Sequence, residues 1–127
     1  MVIKNMEETA HALIVVRVAD IEASLAFYRA LGLAFVQEQH GSGPIHYSCE
    51  LRGLVLELYP HKASSPQDVS AHAIMLGFKV ASLESTLANL HKLGIEPKSP
   101  PKESEWGRWV NVTDPSGRTV QLNELPV

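Results

Sequence analysis

Two short segments carry side chains able to do chemistry at matching places. Gly53-Leu54-Val55-Leu56-Glu57-Leu58 and Gly117-Arg118-Thr119-Val120-Gln121-Leu122 share a glycine-led alternation, with a carboxylate at Glu57 and an amide at Gln121. A carboxylate in a half-apolar pocket can serve as a base or hold a cationic ligand. Its simpler role is a salt bridge to Arg17 or Lys79. Gln121 offers a carbonyl oxygen and an amide donor, and Asn123, two residues on, shares its face.

Six histidines accompany them. His11 precedes a β-branched run and has the parity of Leu13, one step towards the strand's start. His72 should face away from Met75 unless a bulge intervenes. His46 enters a strand, His61 begins a polar stretch, and His40 and His91 read as solvated loop and helix positions. Rim and surface roles are the simpler account of all six. Cys49 has no activating motif, and neither a G-x-S-x-G elbow nor a phosphate-gripping glycine loop occurs. The indole of Trp106 suits packing a loop against the sheet, whereas Trp109 reads as core.

The elements that must position these residues come in two copies. Ala12 to Leu33 and Ala73 to Ile95 resemble each other: Arg17-Val18-Ala19 matches Lys79-Val80-Ala81, and Leu31-Gly32 matches Leu93-Gly94. Each copy opens with an apolar, β-branched strand (12–18; 74–80). Asp20 and Ser82 are placed to cap helices, Glu22 and Glu84 suit their first turns, and Gly32 and Gly94 suit left-handed ends. The stripes Ile21, Leu25, Tyr28 and Leu83, Leu87, Leu90 should be buried. Three shorter strands should follow each helix: 34–39, 46–52 and 54–59, then 96–98, 108–113 and 119–123. Asp114-Pro115-Ser116-Gly117 suits a type I turn. The order is βαβββ twice, an α+β fold in one domain of residues 1–127. Module one covers about 9–60, a polar linker about 61–70, and module two about 71–125.

Composition narrows the partners. A net charge of −3 without a Lys/Arg cluster argues against nucleic acid, and no apolar run could span a bilayer. The polar N-terminal residues do not read as an export signal. One cysteine excludes an intrachain disulfide and fits a reducing, cytoplasmic setting. A small molecule remains the natural partner.

VADIEASLAFYRALGL (from Val18) with WGRWVNVTDPSGRTVQL (from Trp106) resembles the vicinal oxygen chelate superfamily. That superfamily includes glyoxalase I, bleomycin resistance proteins and extradiol dioxygenases. The resemblance spans about Ala12 to Glu124. It implies two βαβββ modules with sheets curled around a cavity, usually completed by a homodimer. Helix-covered faces must be apolar, so the cavity face should hold Leu13, Val15 and Arg17, then Met75, Gly77 and Lys79. From the last strands it should hold Val55, Glu57 and Tyr59, then Thr119, Gln121 and Asn123.

Metal-using members hold a divalent ion between four side chains, at positions that fall here on Leu13, Glu57, Met75 and Gln121. Leucine offers no lone pair and a thioether is soft, so at most two hard ligands remain where about three are needed. The resemblance therefore points to the bleomycin resistance type: no metal cofactor, and sequestration of a planar or cationic compound. Trp106 would stack, Leu13, Met75, Val55 and Tyr59 would give apolar contact, and Glu57, Gln121 and Asn123 would set polarity. The enzymatic rival is a metal-dependent lyase, isomerase or dioxygenase-like protein holding one divalent ion on His11, Glu57 and Gln121.

Overall fold

A computed structural model describes residues 12–60, 74–104 and 107–124. His11, His61, His72, Trp106 and the expected linker lie outside them. The first module runs β1 (Ala12–Val18), α1 (Ile21–Ala30), β2 (Val36–Glu38), β3 (His46–Leu51) and β4 (Leu54–Pro60). The second runs β5 (Leu76–Val80), α2 (Leu83–His91), β6 (Lys102–Ser104), β7 (Gly107–Thr113) and β8 (Thr119–Glu124). Each forms a four-stranded mixed sheet, ordered β1-β4-β3-β2 and β5-β8-β7-β6. The first and last strands of each unit pair in parallel, which requires the intervening helical crossover; the other neighbours are antiparallel.

The helices start and stop where their side chains dictate. Asp20 accepts from the Ala23 N–H at 3.0 Å, and Ser82 from the Ser85 N–H at 3.1 Å. Such caps contribute about 1 kcal/mol each. At the other ends Leu33 N–H bonds Tyr28 O and Gly32 N–H bonds Arg29 O; Ile95 to Leu90 and Gly94 to His91 repeat the pattern. This double bond requires a left-handed residue, met by Gly32 (φ 102°) and Gly94 (φ 78°).

Strand alternation sorts each sheet into two faces. Val16, Val18, Leu56 and Leu58 are buried with Leu25, Phe27 and Tyr28 of α1, and Leu76, Val80, Val120 and Leu122 with Leu83 and Leu90 of α2. Each such side chain contributes roughly 1.5–3 kcal/mol on leaving water. The modules meet on this helix side. Tyr28 packs edge-on to Phe78, ring centroids 6.1 Å apart, and its hydroxyl donates to Asp114 Oδ2 at 2.6 Å. Asp114 also takes Arg118 Nη1 at 3.0 Å, and its Oδ1 accepts from the Ser116 and Arg118 N–H groups. Asp114 and Arg118 are both only 3 % exposed, so the turn of module two becomes a buried anchor for the helix of module one.

One strand departs from the expected position. The fourth strand of the sheet in module two lies at Lys102–Ser104, not 96–98. Pro97 lacks the N–H a ladder needs, and Pro100-Pro101 delays pairing until Lys102 meets Trp109. The second strand of module one is likewise shorter than expected, Val36–Glu38. Ile74 and Met75 precede the β5 ladder and are exposed.

Candidate functional site

The faces turned away from the helices carry the polar chemistry. On the first sheet, Leu13, Val15 and Arg17 lie beside Val55, Glu57 and Tyr59 of β4 in register. Ser48 stands opposite Glu57 on β3, and one step along the same register His46 stacks on Tyr59, ring centroids 4.2 Å apart and 6° from parallel. Glu38 of β2 faces His46. On the second sheet, Gly77 and Lys79 lie beside Gln121 and Asn123. Asn111 faces Gln121, and Trp109 faces Asn123.

The expected parity therefore holds on both sheets, but among the described residues the two open faces are not brought together. Leu13 is 60 % exposed and Met75 57 %. The described cross-module contacts, Tyr28 to Asp114 and Phe78 and Asn89 to the Ala30 carbonyl, lie on the helix side. Leu13 and Val55 adjoin Glu57 and Tyr59 on one half; Gln121 and Asn123 share the other.

Several expected roles change. Glu57 does not pair with Arg17, whose guanidinium lies over the Tyr59 ring at 5.5 Å, nor with Lys79, which belongs to the other sheet. Its ionic neighbour is His46, with Oε2 3.9 Å from Nε2. Trp109 is not in the core: parity with Asn123 places it on the open face, half-buried, with Lys102 Nζ 5.4 Å from the ring. His40 is exposed as expected, yet its ring comes within 5.1 Å of the His46 ring. His91 is exposed at the end of α2 and contacts Glu96.

His46, Glu38 and Trp109 were the residues that sequence reasoning missed. The Arg52-Gly53 turn held the signal, because a two-residue hairpin with both φ positive (45° and 89°) fixes the β3–β4 register. That register alone places Ser48 opposite Glu57 and His46 opposite Tyr59.

The donor set decides about a metal between the four superfamily positions. Leu13 and Met75 supply no hard ligand, so the four positions offer at most Glu57 and Gln121 where about three ligands are needed, and these residues do not fit a catalytic divalent ion. Cys49 is buried, facing Leu56, and burial pushes its thiol pKa up, the opposite of an activated nucleophile. A groove of about 380 Å³ lies elsewhere, on the helix side, lined by Ala23, Ala26, Leu93, Ile95, Thr113, Asp114 and Pro115. It is mostly apolar, and its one carboxylate is already engaged by Tyr28 and Arg118. Convergent polar side chains occur on the open faces instead.

Comparison with known proteins agrees with this architecture. A sequence model of the Glyoxalase/Bleomycin resistance protein/Dioxygenase superfamily matches residues 10–122. None of the curated proteins matches the chain. A glyoxalase/dioxygenase from Nostoc punctiforme superposes with a TM-score of 0.74 at 21% identity, covering 100% of this chain and 98% of its own. An antibiotic binding protein from Streptomyces sp. CB03234 gives 0.71 at 22% identity, covering 96% and 100%. A glyoxalase / bleomycin resistance protein from Catenulispora Acidiphila DSM 44928 gives 0.63 at 24% identity, covering 93% and 100%. At these identities the likeness concerns the fold.

Proposed function

The chain belongs to the glyoxalase/bleomycin resistance protein/dioxygenase superfamily, and from that premise we propose that it binds a small planar or cationic molecule without an ion between the four superfamily positions. The observation that carries this reading is the pairing, on each open face, of exposed apolar side chains with polar ones. Exposed Leu13 and Val15 and half-buried Val55 surround Glu57 on one face; half-buried Trp109 accompanies Gln121 and Asn123 on the other, with exposed Met75 just before the β5 ladder. Apolar surface left uncovered beside convergent polar groups is what a ligand pocket needs.

The two halves become one pocket when a second copy covers them, so the binding form is a homodimer. Trp109 stacks on the planar part of the ligand, joined by Trp106. Glu57 selects positive charge, Gln121 and Asn123 supply neutral hydrogen bonds, and Tyr59 adds apolar contact. An antibiotic-binding relative of the same fold supports sequestration as the activity. The rival, a lyase, isomerase or dioxygenase-like enzyme with an ion on His11, Glu57 and Gln121, has Leu13 and Met75 where metal-using members place hard ligands.

Tryptophan fluorescence titration with a panel of planar cationic drugs, alongside sedimentation analysis, tests the proposal. Saturable quenching by a dimer is the expected result. A monomer that responds to no compound of the panel would sink it.

A further inference from the structure

We propose that Glu38, His40 and His46 form a binding site for a divalent transition-metal ion of borderline softness, at the end of the β2–β3 hairpin. None of its three ligands is among the four superfamily positions, although Glu57 lies beside them, and the site stands whether or not the open faces bind an organic ligand.

The argument begins with the His46 ring. It is 1 % exposed, and its Nδ1 lies 3.2 Å from the Pro44 carbonyl oxygen. A carbonyl only accepts, so in the neutral ring Nδ1 carries the hydrogen and Nε2 presents a lone pair. Nε2 is buried without a hydrogen-bond partner among the described residues. Its nearest charged neighbours are Glu38 Oε1 at 3.5 Å and Glu57 Oε2 at 3.9 Å. Three acceptors thus converge with no donor among them, and a cation resolves the conflict.

The donor chemistry fits such an ion. Ligand atoms of Glu38, His40 and His46 all lie within 4.8 Å of one another. Two imidazoles and a carboxylate suit zinc and its neighbours, and three protein ligands leave a position open. A Nδ1–H bond to a backbone carbonyl is the usual way a ligating histidine is held. Stacking on Tyr59 keeps His46 in place, so closing to metal distances falls to its movable partners, exposed His40 and partly exposed Glu38. Glu57 brings a second negative charge near the ion, and with Glu38 it balances a 2+ charge.

The rival account is a proton: an imidazolium at His46 donating from Nε2 to Glu38. Calorimetric titration of the full chain with Zn²⁺, and Co²⁺ absorption, separate the two. The expected result is one ion per chain, with binding weakened more than about 100-fold in His40→Ala and at least about tenfold in Glu38→Gln. His40 is exposed, so this variant should melt like the parent in EDTA. Glu57→Gln should change affinity less than about tenfold, because it is no direct ligand. No binding tighter than about 100 µM, or affinity unchanged in His40→Ala, overturns the proposal. So does loss of binding in Glu57→Gln alone, which places the ion among the superfamily positions. Nitrogen-15 spectra showing a His46 imidazolium at neutral pH in the presence of excess Zn²⁺ would overturn it equally.

Discussion

The open faces of the two modules descend from one pattern and hold opposite chemistry. Glu57 corresponds to Gln121, and the residues facing them are Ser48 and Asn111. One pair further along, His46 corresponds to Trp109; their outer partners are Glu38 and Lys102. Where module one sets a carboxylate against an imidazole, module two sets an ammonium against an indole. The helix sides differ far less, since both bury the same stripe and end in the same double-bonded glycine turn. A repeat therefore constrains what must pack, and leaves free the face on which none of the described elements packs.

The largest test concerns the clasp that joins the two modules on their helix side. Asp114→Ala leaves Arg118 buried without its carboxylate and Tyr28 without its acceptor, and should cost about 3–5 kcal/mol in urea unfolding. One shifted transition would mean the modules fold as a unit; a second transition would mean the faces belong to separable halves. Next in size, Trp109→Ala should weaken a planar ligand by about tenfold or more in a binding titration, and leave Zn²⁺ affinity unchanged. Equal loss of both would erase the division of labour between the faces.

Glu57→Gln makes the first face resemble the second. It should weaken a cationic ligand by roughly tenfold while a neutral analogue binds as before. Smaller still, Asp20→Ala and Ser82→Ala should each cost about 1 kcal/mol in thermal unfolding, because the two caps have the same geometry. Unequal losses would show that the modules differ on the helix side too.

The smallest effect is a pH dependence of the clasp. Burial first, and the Asp114 charge second, push the Tyr28 phenol well above the usual tyrosine range. The folded chain then keeps a proton that the unfolded chain releases above pH of about 10. This contribution is whole below that pH and declines as pH rises. Half a unit above, the loss is under about 1 kcal/mol, and Tyr28→Phe should flatten the decline in an alkaline denaturation series.

Local chemistry made much of this legible from the residues alone. Asp20, Ser82, Gly32 and Gly94 act within a few residues of themselves, so spacing locates both helices. Alternation assigned Leu13, Glu57, Gln121 and Asn123 to the open faces. Trp109 was misplaced because an aromatic residue among valines reads as core; only pairing with Asn123 shows its parity. The strand at Lys102–Ser104 was displaced because proline constrains a ladder more strongly than apolar alternation promotes one.

The sequence by itself determined two βαβββ units, their caps, and a ring of superfamily positions lacking metal donors at Leu13 and Met75. Those are matters of side-chain type and of contacts between near neighbours in the chain. Tertiary structure decided the rest: that Asp114 anchors Tyr28 across 86 residues, and that His46 lies between Glu38 and Glu57. Such meetings depend on strand register and on the packing of one module against the other. A single buried carboxylate or imidazole acquires its role only from the groups that the fold sets against it.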